Sequence, residues 1–70
     1  MNNGYTGISP HELMKKTASF PLSEMMRQLE EAIHDCRAFV EDHPKHKTAK
    51  YYLQTFIDIY ATAKRLNGHV

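Results

Sequence analysis

Residues 22–40 read LSEMMRQLEEAIHDCRAFV and write one apolar triplet three times at a spacing of seven: Leu22, Met25, Met26, then Leu29, Ala32, Ile33, then Cys36, Phe39, Val40. At about 100° per residue these nine side chains fall within roughly 140° on one side of a helix. Apart from Ala38, every residue between them is polar. Such a stripe needs a covering surface, and the rest of the chain is read as the source of it.

The nearest cover is residues 47–67. Ala49, Tyr52, Leu53, Phe56, Ile59, Tyr60, Ala63 and Leu66 repeat the same seven-residue register. Asp42-His43-Pro44-Lys45 separates the two runs, because Pro44 cannot continue a helix and the residue before a proline prefers extended backbone. A link this short makes the two helices antiparallel neighbours. Upstream, Ser9, Pro10 and Glu12 spell a capping box with proline at the first helical position, and Ile8 with Leu13 is placed to form a hydrophobic staple. Pro21 then breaks the run, with Ser19 or Ser23 as the expected cap of the next helix. Gly68 after Asn67 is the expected left-handed stop of the last helix.

The expected fold is therefore all-α: a short N-terminal helix followed by an antiparallel helical hairpin. Residues 1–8 are expected to be a flexible lead-in and 9–68 a single helical domain, with helices over about 10–17, 21–42 and 46–67. The last helix is greasier than a hairpin requires, since Ile57 widens its arc to roughly 180° and Tyr51 and Ala61 lie outside the stripe. Two facing amphipathic helices leave Met25, Phe39, Tyr52 and Ile57 at the flanks, and the simplest cover for them is a homodimer forming a four-helix bundle.

Seventy residues make one domain with a modest core. Cys36 is the single cysteine, so no intrachain disulfide can form; its place in the stripe reads as a small core residue suited to a reducing compartment. The start, Met-Asn-Asn-Gly-Tyr-Thr-Gly, lacks the features of a signal peptide, and no stretch of eighteen apolar residues occurs, so the expected location is cytoplasmic, with no membrane partner. Net charge is +1, but it is unevenly spread. Residues 21–42 hold six acids against Arg27 and Arg37, while residues 43–70 hold five lysines and arginines against Asp58.

Chemistry finds little footing. Asp42, His43 and His46 crowd a proline turn in a poor arrangement for a metal, so no metal or other cofactor is expected. There is no phosphate-binding glycine loop, no nucleophile with a base at a recognisable spacing, and no pair of inward-facing carboxylates, so an enzyme is not expected. What remains is recognition. Tyr51, Tyr52, Ile57 and Tyr60 on the last helix have the composition of an interface hot spot and are the expected partner-binding residues. The function expected from these features is that of a small non-enzymatic regulator that binds and inhibits an unidentified protein. Phages and other mobile elements often encode inhibitors of this size and class. The alternative is a dimeric RNA- or DNA-binding regulator using Lys45, Lys47 and Lys50 at the start of the last helix.

Overall fold

A computed structural model of the chain describes residues 7–68. Three helices follow one another: α1 (Pro10–Lys16), α2 (Leu22–Asp42) and α3 (Lys47–Asn67). No strand is present among the described residues, and the protein is all-α. Residues 1–6 of the expected lead-in lie outside the described residues.

The capping box opens α1. Ser9 Oγ accepts from the Glu12 backbone N–H at 3.2 Å, and the Glu12 carboxylate accepts from the Ser9 N–H at 3.3 Å. Two N–H groups that a helix start leaves open are thereby satisfied at once. Ile8 packs against the core cluster that contains Leu13, as the staple requires. Thr17 closes the helix from a buried position, where its hydroxyl donates to the Leu13 carbonyl at 2.8 Å. A helix of seven residues has no independent stability. Leu13 is what docks it.

The start of α2 differs from expectation. Pro21 itself occupies the capping position, with extended backbone and no side-chain hydrogen bond, so neither Ser19 nor Ser23 caps the helix. Glu24 in the first turn supplies the favourable charge, and it pairs with Arg27 at 4.0 Å. At the far end of α2 the His43 N–H donates to the Phe39 carbonyl at 2.9 Å. The α3 N-terminus is capped by a residue the sequence does not advertise. His46 Nδ1 accepts from the Ala49 N–H at 3.1 Å, the same service a serine or asparagine would perform. Gly68 also departs from expectation: its φ of −79° and ψ of −4° continue the right-handed helix, and its N–H donates to the Lys64 carbonyl at 2.9 Å.

α2 and α3 lie side by side and run in opposite directions, since Cys36 meets Ala49 near the connecting turn while Glu30 meets Tyr60 further along. Leu13, Leu29, Ala32, Cys36 and Phe56 form the buried cluster, with Ile33, Val40, Leu53, Ile59 and others packed around it. Phe56 and Leu29 are fully buried, and each contributes about 1.5–3 kcal/mol through removal from water. The cysteine is a core residue whose thiol donates to the Ala49 carbonyl at 3.3 Å.

α1 covers only one broad face of the hairpin. Leu13 enters the cluster at the level of Leu29, Ala32, Cys36 and Phe56. At that same level a hollow of about 340 Å³ is lined by Glu30, Ile33, His34, Arg37, Ile57 and Tyr60, with no residue of α1. The short helix therefore lies on the opposite face.

Candidate interaction surfaces

The four expected partner-binding residues do not form one surface. Tyr51 is 68% exposed and its ring contacts that of Tyr52, centroids 6.3 Å apart. Tyr52 is half-buried and packs against the core cluster. Ile57 and Tyr60 are half-buried and line the hollow on the face that α1 leaves open. Six residues separate Tyr51 from Ile57, which turns the two side chains roughly 120° apart around α3. The tyrosine pair and the hollow are separate surfaces.

The hollow has a polar lip. Tyr60 donates its hydroxyl hydrogen to the Glu30 carboxylate at 2.7 Å, tying α3 to α2 across the seam. That hydrogen bond, then partial burial and the repulsion of the carboxylate, holds the Tyr60 phenol above its ordinary value of 10.0. Ile33 and Ile57 supply the aliphatic part of the lining, and the exposed His34 and Arg37 complete it.

A second recess was not anticipated. Leu22, Met25, Ile59, Thr62, Ala63 and Leu66 line a groove of about 310 Å³ at the end of the hairpin away from the turn, bordered by Asp58. Leu66 there is 60% exposed. Its signal was present in the stripes, where Leu22 and Leu66 are the first and last members. Periodicity alone could not tell that these end residues would line an open groove.

At the turn, the histidines are used for packing. The His43 ring stacks on Phe39 with centroids 4.3 Å apart, and the His46 ring meets Phe39 edge-on at 5.0 Å. Phe39, expected at an open flank, is thus held between two imidazoles. Among the described residues no group of three His, Cys, Asp or Glu side chains is placed to hold a metal ion. Lys45, Lys47 and Lys50 are all exposed around this turn. Lys47 and Lys50, three residues apart, are neighbours on α3, and no acid stands in the first turn of that helix.

No protein-family model, curated protein or solved structure matches the chain. Among the described residues no helix is long and apolar enough to cross a membrane.

Proposed function

We propose that this protein is a small non-enzymatic cytoplasmic regulator that acts as a homodimer and binds another protein through α3, inhibiting it. The observation that carries the reading is Tyr51. A tyrosine 68% exposed contributes little to its own fold, yet tyrosine is among the residues that dominate binding energy when a partner buries them. Tyr52, half-buried against the core, stands beside it with ring centroids 6.3 Å apart, so the two rings offer adjacent aromatic surface to a partner.

The test is affinity capture from a lysate of the source cell or its host, with and without nuclease, using the native chain and Tyr51→Ala. A stoichiometric protein retained after nuclease and lost with Tyr51→Ala is the expected result. Loss of every partner on nuclease treatment overturns the reading and moves attention to Lys45, Lys47 and Lys50. In that case Lys47→Glu abolishes binding, and native affinity falls steeply with added salt.

A further inference from the structure

We infer that the open face of the hairpin, centred on Ile33, Ile57 and Tyr60, is the surface on which a second copy of this chain docks, with α2 of each copy lying antiparallel on α3 of the other. The inference rests on the homodimer proposed above and specifies its surface and arrangement.

Three features select this face and this occupant. The first is the apolar seam. Met26, Ile33 and Val40, spaced by seven on α2, and Leu53, Ile57 and Tyr60 on α3 are all half-buried, and the hollow between the two helices at Ile33, Ile57 and Tyr60 has no α1 residue over it. The second is size. Two packed helices of 21 residues, each about 31 Å long and about 10 Å across, present a face of roughly 600 Å², at the lower end of what one partner contributes to a stable interface of ordinary size. The third is charge. On α2 the charges bordering this face are Glu30 and Glu41 against Arg37, and on α3 they are Lys50 and Lys64.

Charge also decides how two such faces meet. A two-fold axis running across the helices would lay α2 on α2 and α3 on α3, bringing the lysines of the two α3 borders together. A two-fold axis parallel to the helices lays α2 on the other copy's α3, acidic on basic, and every adjacent pair in the resulting four-helix bundle is antiparallel. Helical phase places Glu30, Arg37 and Glu41 along the α2 border of the seam, and Lys50 and Lys64 along the α3 border. Complementary potentials favour the second arrangement. Because a parallel axis keeps each residue at its own level, the Ile33–Ile57 layer of one copy meets the same layer of the other, and each hollow receives the partner's aliphatic side chains.

The test is sedimentation equilibrium of the full chain over a wide concentration range, with circular dichroism to check helix content, on the native protein, Ile57→Asp, Ile33→Asp and Tyr51→Ala. The native chain is expected to reach twice the chain mass. Ile57→Asp and Ile33→Asp are expected to weaken association by about thirtyfold or more, the size of a hot-spot loss, while Tyr51→Ala leaves it unchanged. Isotope-filtered nuclear Overhauser spectra of mixed labelled and unlabelled native chains read the arrangement without any substitution. Contacts from Ile33 on α2 to Ile57 on the other copy's α3 are expected. A native chain of single mass at every concentration overturns the inference, as does a dimer broken by Leu66→Asp but not by Ile57→Asp. Intermolecular contacts confined to α2 with α2 and α3 with α3 overturn the arrangement. Failure here is distinguishable from failure of the partner-binding reading, because capture through Tyr51 by a monomeric chain would leave that part intact.

Discussion

The two broad faces of the hairpin are built from the same repeated stripes, yet at the level of Leu13 one is closed by α1 and the other is left open. On the closed face Leu13 is buried together with Ala32. On the open face Ile33, the next residue along α2, stays half-exposed over a hollow. A seven-residue helix is enough to complete one side of a two-helix core and far too short to wrap around both. The difference teaches that a hairpin of this size closes its core on one side within the chain and keeps an apolar seam available on the other.

The largest effect expected from breaking this contrast is at Leu13. Leu13→Ala removes the anchor of α1 and should lower stability by about 2–4 kcal/mol in urea unfolding. Ile57→Ala, measured at a concentration where the chain is a monomer, should lower it by less than about 1 kcal/mol, because its side chain is only half-buried. Equal losses at the two positions would erase the distinction between the faces.

A smaller effect is expected from the caps. Ser9→Ala should reduce stability by about 1 kcal/mol by undoing the capping box that prepares α1 for docking. His46→Ala removes the acceptor for the Ala49 N–H and should destabilise the turn end by up to about 1 kcal/mol, while His46→Asn, which keeps an acceptor, should restore most of it. Amide exchange of Ala49 separates a lost cap from lost packing on Phe39: a cap loss accelerates exchange in His46→Ala and not in His46→Asn.

The smallest effect concerns the lip of the open face. Tyr60 ionises above its ordinary range because its hydroxyl is bonded to Glu30. Absorbance titration of the phenols should show one tyrosine shifted upward in the native chain, and Glu30→Gln should bring it back toward the ordinary value. The linked stability has a definite sign. It is fully present below the tyrosine value of the unfolded chain, about pH 10, and is lost as pH rises through the raised native value. A Tyr60 unaffected by Glu30→Gln would mean that the charge of the Glu30 carboxylate does not contribute to the upward shift.

Much of the fold is legible in the chain. The triplets at spacing seven mark α2, the same register marks α3, and Ser9-Pro10-Glu12 announces α1 because all three signals act locally. The misreadings have physical causes. Ser19 and Ser23 flank Pro21, but proline's fixed backbone already suits the capping position, and the serines are passed over. His46 caps α3 with its ring packed edge-on against Phe39, a contact between residues seven apart in sequence that only folding brings about. Gly68 tolerates the left-handed conformation without requiring it. The interaction surfaces were the least legible part. Tyr51, Tyr52, Ile57 and Tyr60 share a composition, and only helical phase combined with the position of α1 divides them into an aromatic pair and an aliphatic hollow.

The measurement that bears most directly on the account is the molar mass of the native chain and of Ile57→Asp as concentration is raised, with helix content followed in parallel. A native mass that doubles while folded Ile57→Asp stays single is the predicted result. A native chain of single mass throughout, or a variant that dimerises as well as the native chain, would contradict the claim that the face left open by α1 is where two copies meet.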